Sequence, residues 1–216
     1  MNKTSIALGY FDSIHLAHKE ILKSCANFSP KTTSLALSFT IDDNLLKHKN
    51  SHIISTDDKI KMIQDIGIDR VELPLFSKIA NLTADEFFYD ILLKKYSAVN
   101  LVCGFNYTFG KNALGDTNYL LKLCKKNNIS LEIIPQIKID GISVSTSNIK
   151  KFLSDGNIKM ANKFLGYTFF LKGEVVKGNK IGRTLDFPTI NQNFFENQYI
   201  PKYGVYKTST IVDGIT

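Results

Sequence analysis

Two histidines of the stretch GYFDSIHLAHKEIL, His15 and His18, stand three residues apart where a short apolar run meets a segment with helical periodicity. If a helix begins near Leu16, its unpaired backbone N–H groups form a site for an anion. The two imidazoles, about one helical turn apart, then face the same anion. Two other interpretations use the same residues: a pair of exposed or capping histidines, and a metal site that adds Asp12. The spacing therefore indicates anion binding and leaves the other two interpretations open.

The elements that must position these histidines are short β-type runs alternating with helix-period segments. The runs predict strands over residues 5–8, 34–39, 70–75, 99–103 and 130–134. Ser55 and Thr83 each precede an acidic residue by three positions, a spacing typical of helix amino-terminal caps. The alternation predicts an α/β fold with a parallel, doubly wound sheet. Such sheets bind ligands at the carboxyl ends of strands near the switch point, where residues 9–18 and 104–110 are expected.

The character of the sequence changes in its last third. Residues 147–153 and 158–165 predict two short helices, and from Tyr167 the pattern becomes β-type and rich in glycine. We therefore expect two domains, residues 1–160 and 161–216. About 50 residues of hairpin-type sequence bury too little apolar surface to be stable alone, so the second domain reads as cut off before its end.

Composition limits the classes of protein to which the chain can belong. Of its 216 residues 44% are apolar and 22% are charged, as in a globular protein. The net charge of +7 favours an anionic partner, although a lysine-rich composition explains the charge equally well. The basic stretch KHKNSH, with His48 and His52, indicates a solvated loop, and a loop that lies over an active site is also compatible with it.

Cysteine usage and hydropathy bear on the compartment. Three cysteines without a C-x-x-C pair argue against a disulfide framework and against a zinc site. The apolar run near the amino terminus is too short for a signal peptide, and no run is long enough to span a membrane. We therefore expect a cytoplasmic protein without a membrane partner.

Four segments of the chain resemble, in order, the motifs of one family. GYFDSIHLAH resembles the G-x-F-D-G-x-H-x-G-H signature of the HxGH nucleotidyltransferases. VCGFNYTFGKNALGD, VSTSNIKKFLSDG and GEVVKGNKIGRTLDFPTIN resemble later motifs of the bacterial bifunctional riboflavin kinase/FMN adenylyltransferases, or FAD synthetases. The resemblance implies a Rossmann-like nucleotidyltransferase domain over residues 1–160. Over residues 161–216 it implies the first part of an antiparallel riboflavin kinase β-barrel, through whose unpaired edges we expect self-association.

The reaction implied by the resemblance joins ATP and FMN, with Mg²⁺, to give FAD and pyrophosphate. An FMN phosphate oxygen is already ionised near neutral pH, so catalysis needs positioning and charge stabilisation rather than a strong base. The resemblance assigns catalysis to His15 and His18, which would bind the ATP phosphates, and to Lys150, which would cover the pyrophosphate. The residues that it assigns to ATP binding are Gly9, Phe11, Asp12, His15, His18, Gly104, Ser145, Thr146, Ser147 and Lys150. Simple capping of a helix explains the three hydroxyl residues equally well.

The flavin site of the family falls on a stretch of alternating aromatic residues. It would consist of Phe105, Asn106, Tyr107 and Phe109, whose rings suit stacking on a flat heterocycle. The alternation is also typical of one face of a strand packed into the core. Both interpretations stay open at this stage.

The kinase module of the family binds nucleotide and metal through a glycine-rich loop and a P-T-x-N element. The matching residues are Lys180 and Arg183 for phosphate, and Thr189 and Asn191 for Mg²⁺, which prefers oxygen donors. A plain hairpin turn explains the glycine-rich segment equally well. In the family the catalytic acidic residue lies beyond the position of Thr216, so we do not expect this chain to phosphorylate riboflavin by itself.

Several positions depart from the family pattern. Ala17 replaces the glycine of H-x-G-H and adds a Cβ where ATP would approach the backbone. Ser13 and Asp186 replace two further glycines, Lys150 replaces an arginine, and the expected His-Pro pair is absent from residues 41–44. These changes support a second hypothesis, a catalytically weak regulator that binds flavin or RNA. No RNA-binding motif is present, so we rank nucleic acid below small-molecule substrates.

Overall fold

A five-stranded parallel sheet forms the centre of the computed structural model, which describes residues 3–28, 32–40, 52–178, 189–195 and 197–212. The strands are β1 (Thr4–Leu8), β2 (Thr33–Leu37), β3 (Arg70–Glu72), β4 (Ala98–Gly104) and β5 (Ser130–Ile134). Their order in the sheet is β3-β2-β1-β4-β5. The chain winds outward from β1 to β3 and then crosses back to β4, so the switch point lies between β1 and β4. The predicted α/β fold with a parallel, doubly wound sheet is confirmed.

Helices connect the strands and follow them. They are α1 (Leu16–Asn27), α2 (Thr56–Asp65), α3 (Phe76–Ile79), α4 (Ala84–Glu86), which continues with π-helical turns over Phe87–Lys95, α5 (Thr117–Lys126), α6 (Thr146–Ser154) and α7 (Ile158–Leu165). Both predicted caps are present: Ser55 Oγ accepts the backbone N–H of Asp58 at 3.1 Å, and Thr83 forms a reciprocal capping box with Glu86. Within the described ranges, no helix is long and apolar enough to cross a membrane.

The three central strands, β2, β1 and β4, are buried on both faces, which explains why they are mostly apolar without strict alternation. All five side chains of β1 are buried. On one face α1, α6 and α7 contribute Leu22, Ile149 and Phe164, and on the other Phe88 and Leu120 pack beside the sheet. The same two clusters contain the three cysteines as free, buried thiols. These are Cys25, Cys103 and Cys124.

Two strands end earlier than the sequence predicts. β2 ends at Leu37 rather than at residue 39, and β3 ends at Glu72 rather than at residue 75. Pro74 has no backbone N–H to donate, so it interrupts the ladder between these strands. Pairing resumes only as a single bridge between Thr40 and Leu75.

The segment after α7 forms β-structure, as predicted, and then contacts the chain just before α2. After α7, β8 (Gly173–Val176) pairs antiparallel with β9 (Asn191–Phe194), whereas the short hairpin of β6 (Lys138–Ile139) and β7 (Ile142–Ser143) lies before α6. The backbone of His52 then exchanges two hydrogen bonds with the chain beyond β9. His52 N donates to Asn197 O at 2.9 Å, and Tyr199 N donates to His52 O at 2.7 Å.

Helix α7 crosses the domain boundary that the sequence predicts after residue 160. Its side chains Ala161, Phe164 and Leu165 are fully buried in the cluster that also contains α1 and α6. Gly166, with a left-handed φ of 70°, ends the helix. Helix α7 thus packs with α1 and α6 on one face of the sheet.

Candidate active site

A cleft of about 850 Å³ opens at the carboxyl edge of the sheet, at the switch point between β1 and β4. Its volume lies within the range of about 300–1,000 Å³ typical of ligand sites. The predicted site residues that line it are Gly9, His15, His18, Gly104, Phe105, Asn106, Tyr107, Phe109, Ser145, Thr146 and Ser147. Phe11, Asp12 and Lys150 are not part of the lining. The structure therefore brings most of the residues predicted for adenylyl transfer together in one cleft, and three of them lie outside its lining.

The histidine pair is built by the first turn of α1. His15 is the amino-terminal cap, and its Nδ1 accepts the backbone N–H of His18 at 3.2 Å. The two rings stack with centroids 3.6 Å apart and planes inclined by 15°. Because Nδ1 of His15 is an acceptor, the neutral ring carries its proton on Nε2 and is a donor there. His15 thus caps the helix and lines the cleft, and since only 4% of it is exposed, a surface histidine is excluded.

Burial keeps both imidazoles neutral. It lowers the pKa of His15 to about 4. Burial, followed by repulsion from His15 when that ring is protonated and from Lys59, lowers the pKa of His18 well below its ordinary value. Nδ1 of His18 is buried and has no hydrogen-bond partner within the described residues. The pair therefore presents uncharged hydrogen-bonding groups to the cleft at neutral pH.

We expect the free energy of unfolding to decrease as the pH is lowered, because the folded protein keeps His15 neutral. The unfolded chain binds the proton near pH 6.5 and the folded chain only near pH 4, so this stability is present above pH 6.5 and is lost as the pH falls towards 4. His15→Asn keeps an acceptor at the cap but cannot titrate. We would measure the free energy of unfolding with urea at about pH 7 and pH 4.5. Its decrease between the two pH values should be smaller by about 2 kcal/mol in this variant than in the wild type. Equal losses in both proteins would contradict the assignment.

The loop between β1 and α1, residues 9–15, is strained. Phe11 and Ile14 have φ values of 52° and 42°, in the left-handed region that bulky side chains rarely adopt. A Cβ on Gly9 would lie 2.8 Å from the Phe11 ring, so only glycine fits beside it. Phe11 itself is fully buried and meets the His18 ring edge-on at a centroid distance of 5.3 Å. It therefore supports His18 from behind rather than lining the cleft.

Side chains from distant parts of the chain hold this loop in place. The carbonyl oxygen of Tyr10 accepts Ser38 Oγ at 2.7 Å and Lys59 Nζ at 3.1 Å. The carbonyl oxygen of Ser13 accepts the phenol of Tyr167 at 2.7 Å. The loop that contains Phe11 and Ile14 is thus held by a residue just after β2, by α2 and by the segment after α7.

Asp12 is the centre of a buried polar network behind the cleft. Its Oδ2 lies 3.1 Å from Lys150 Nζ, and its Oδ1 lies 3.3 Å from His52 Nδ1. Burial would raise the pKa of Asp12, but the hydrogen bond from His52 and the charge of Lys150 outweigh it and lower that pKa. The hydroxyl of Tyr10 lies 3.3 Å from the same His52 nitrogen. Lys150, predicted to cover the pyrophosphate, is therefore held by Asp12 in this structure.

The prediction of a solvated basic loop is wrong for His52, and His48 lies outside the described residues. The His52 side chain is 27% exposed and bonds to the network of Asp12. Sequence reasoning also missed Lys59, whose pKa burial lowers to about 8 although Asp12 raises it. A signal for Lys59 was present: it lies one helical turn before Ile63, which is in the core, so the spacing places it on the inner face of α2.

The amino end of α6 forms the opposite wall of the cleft. Ser145 Oγ accepts the backbone N–H of Asn148 at 3.3 Å, so the capping interpretation is confirmed for this residue. Thr146 Oγ1 lies 3.2 Å from Ser13 Oγ and ties α6 to the loop before α1. Ser147 is exposed at the cleft.

The aromatic stretch after β4 is a loop rather than a strand. β4 ends at Gly104, and Phe105 is 45% exposed in the cleft. Phe109 is buried in the core and its ring lies nearly parallel to that of Tyr107 at 5.9 Å. Asn106 is exposed beside them. The interpretation as one strand face is wrong, although Phe109 does pack into the core.

The side-chain geometry bears on the metal interpretation of the histidine spacing, which adds Asp12 to His15 and His18. Asp12 turns to Lys150 and His52, whereas His15 and His18 stack on each other, so these residues do not converge on one point. Over the described ranges, no group of three or more His, Cys, Asp or Glu side chains is arranged to hold a metal ion. The metal interpretation of the histidine spacing is therefore not supported.

The predicted kinase residues are only partly described. Thr189 and Asn191 are exposed, the latter at the start of β9. Lys180 and Arg183 lie outside the described residues, as does Asp186. Residues 41–44, where the His-Pro pair was expected, also lie outside them.

Comparison with known proteins places these features in context. A family model described as FAD synthetase matches residues 1–148, and one described as riboflavin kinase matches residues 165–216. Three relatives are each named bifunctional riboflavin kinase/FMN adenylyltransferase. The protein of Listeria monocytogenes is 28% identical over 98% of this chain and 69% of its own length. That of Buchnera aphidicola from Acyrthosiphon pisum is 32% identical over 93% and 66%, and that of Escherichia coli K12 is 26% identical over 95% and 67%.

A solved structure shares the fold over nearly the whole chain. It is a crystal structure from Streptococcus pneumoniae described as a macrolide-efflux protein, with a TM-score of 0.81 and 30% identity. The match covers 95% of this chain and 69% of the other. Like the three relatives, it is about half as long again as the chain.

Proposed function

The chain belongs to the family of bifunctional riboflavin kinases/FMN adenylyltransferases, and we propose that its cleft transfers the AMP group of MgATP to FMN, giving FAD and pyrophosphate. The observation that carries the proposal is the stacked pair of neutral imidazoles, His15 and His18, at the amino end of α1 and at the switch point of the sheet. The cleft, at about 850 Å³, is large enough for the phosphates of a nucleotide and of FMN to lie together beside this pair.

The chemical step is an in-line displacement at phosphorus. An oxygen of the FMN phosphate attacks the α-phosphorus of ATP, and the bond from that phosphorus to the oxygen of the leaving pyrophosphate breaks. Negative charge grows on the transferred group and on the leaving group. Nε2–H of His15 and the first-turn N–H groups of α1 supply donors there, in a site from which burial excludes much of the water. No general base is needed because the FMN phosphate is already ionised.

The second wall would hold the leaving group and the flavin. Backbone and hydroxyl groups of Thr146 and Ser147, at the amino end of α6, suit the β- and γ-phosphates. Lys150 lies one turn further along α6, and its flexible stem allows Nζ to exchange Asp12 for the pyrophosphate. Phe105 offers a ring to the isoalloxazine, and Asn106 offers an amide to its polar edge.

The proposal is tested by incubating the purified chain with FMN, MgATP and pyrophosphatase and separating the flavins by chromatography. We expect FAD to form in proportion to enzyme and time. No FAD, together with tight and salt-dependent RNA binding, would instead support the regulatory hypothesis.

Ala17→Gly restores the family residue at a position that lines the cleft. We expect the KM for ATP to fall about threefold with kcat nearly unchanged, because removal of the Cβ lets ATP approach the first turn of α1. The variant should lose up to about 1 kcal/mol of stability, the usual cost of glycine in a helix. Ala26→Gly carries a similar cost in the same helix away from the cleft, and it should leave the KM unchanged. An unchanged or raised KM in Ala17→Gly would contradict the prediction.

We propose that the second family activity, phosphorylation of riboflavin by MgATP, belongs to the segment matched over residues 165–216. Thr189 and Asn191 would bind Mg²⁺ through oxygen, and their exposure supports this. Lys180 and Arg183 would bind the phosphates. When bound, Mg²⁺ would neutralise charge on the transferred phosphate. The expectation that this chain does not perform the step by itself stays a prediction.

The two-domain division and self-association also stay proposals. The packing of α7 supports a boundary after Gly166 rather than after residue 160. Exposed apolar side chains in the second domain, among them Val205 and Ile211, support association between copies.

A further inference from the structure

Two tyrosines of the segment matched to riboflavin kinase contact the machinery of the other activity. Tyr167 follows α7 and Tyr199 follows β9, and both lie within residues 165–216. We propose that Tyr167 and Tyr199 are positioning residues for adenylyl transfer: one fixes the strained loop before His15, and the other holds Lys150. The inference rests on the proposed function and extends it to residues outside the segment matched to FAD synthetase.

Tyr199 touches two members of the Asp12 network. Its ring centroid lies 5.7 Å from Lys150 Nζ, and its hydroxyl donates to Lys150 O at 3.2 Å. The same hydroxyl lies 2.5 Å from Ser154 Oγ, so the ring is tied to α6 at two points. Its backbone N–H donates to His52 O. Since Asp12 binds both Lys150 and His52, Tyr199 contacts both partners of this carboxylate.

The geometry around Lys150 gives this contact a consequence for catalysis. The ammonium lies between the carboxylate of Asp12 at 3.1 Å and the face of Tyr199. A cation is attracted by both, and the ring narrows the directions in which the flexible lysine stem can swing. When pyrophosphate develops in the cleft, Lys150 starts from one defined position. Without the Tyr199 ring, Lys150 samples many positions, and it occupies the position that contacts pyrophosphate less often, so the rate falls.

Tyr167 acts on the other side of the site. Its phenol donates to Ser13 O at 2.7 Å, and Ser13 lies between the strained Phe11 and Ile14. Burial raises the pKa of Tyr167, so the hydroxyl stays protonated and remains a donor. Lys19 Nζ lies 5.2 Å from the ring centroid, which ties the same tyrosine to α1. Strained backbone persists only where surrounding contacts determine it, and here the donor comes from beyond α7.

The test compares four variants of the full chain. Tyr167→Phe removes one hydroxyl, Tyr199→Leu removes the ring, and Tyr199→Phe keeps the ring without the hydroxyl. Tyr203→Leu is the matched control, because Tyr203 lies in the same segment and is 96% exposed. For each we would measure kcat and KM for ATP and FMN, the melting temperature, and amide hydrogen exchange by mass spectrometry.

We expect Tyr167→Phe and Tyr199→Leu to lower kcat about tenfold while both KM values stay within about twofold. Tyr199→Phe should recover most of the rate because it keeps the cation–π contact. Exchange should rise at residues 10–16 in Tyr167→Phe and at residues 148–152 in Tyr199→Leu. The control should match the wild type in every measurement.

Three outcomes would overturn the inference while the wild type makes FAD. The first is a kcat of Tyr167→Phe and Tyr199→Leu equal to that of Tyr203→Leu. The second is amide exchange that stays unchanged at residues 10–16 and 148–152. The third is a loss of rate that follows the loss of melting temperature in all variants. If the wild type makes no FAD, the proposed function fails. The exchange data then still decide whether the two tyrosines order these segments.

Discussion

His18→Ala should lower the rate of FAD formation by about a hundredfold or more. The substitution removes an imidazole that faces the cleft and stacks on His15, so developing phosphate charge loses a preorganised group. Removal of one such donor from a preorganised site commonly costs 10²–10³ in kcat. Single-turnover measurement with saturating MgATP and FMN, followed by chromatography of FAD, gives the rate of the chemical step.

Two further variants separate hydrogen bonding from packing. His18→Phe keeps an aromatic ring against His15 and Phe11 but has no nitrogen, and it should lose as much activity as the alanine variant. Lys23→Ala changes the exposed face of the same helix, where 56% of the lysine side chain is accessible, and it should keep the wild-type rate. A His18→Phe enzyme within threefold of the wild type would show that the ring supports the site by packing alone.

Substitutions at Asp12 and Lys150 should distinguish the contribution of this ion pair to stability from the contribution of Lys150 to catalysis. Lys150→Met leaves an almost fully buried carboxylate with one partner fewer, and we expect it to lower the free energy of unfolding by about 3 kcal/mol. Asp12→Asn leaves the ammonium, which is 28% exposed, and should cost less, about 2 kcal/mol. Urea unfolding at pH 7 gives these values.

The double variant Asp12→Asn/Lys150→Met removes both charges together. We expect it to be more stable than the sum of the single losses predicts, because neither charge is left buried without its partner. Its rate of FAD formation should stay as low as that of Lys150→Met, since the lysine is absent from the pyrophosphate site. Additive stability losses would contradict the buried pair, and a recovered rate would contradict the role of Lys150.

The parallel sheet and the histidine pair could be predicted from the sequence because both depend on local patterns. Continuous apolar runs mark strands that are buried on two faces, and the cap at Ser55 depends on a spacing of three residues. His15 and His18 are one turn apart, so any helix that begins near Leu16 brings them together. The loop conformation of residues 105–109 was not determined by such a pattern, because aromatic alternation suits a strand equally well.

The Asp12 network could not be predicted, because its members are far apart in sequence. His52 and Lys150 reach Asp12 only after α2 and α6 have packed beside the sheet. Nothing in the sequence around KHKNSH distinguishes a half-buried, hydrogen-bonded histidine from a solvated one. Tyr167 and Tyr199 lie still further away. Contacts of this kind depend on tertiary packing, which propensity and spacing do not encode.

The burial of all three cysteines has a consequence for the chemistry of the surface. Burial raises the pKa of Cys103 to about 12 and that of Cys124 to about 11, and it raises the pKa of Cys25 as well. Alkylating reagents attack the thiolate, so we expect the native protein to react slowly with maleimides and iodoacetamide. Two cysteines introduced at exposed positions, one on each wall of the cleft, would therefore be the preferred sites for a pair of labels, and the distance between the two walls could be followed in solution without removing any native cysteine.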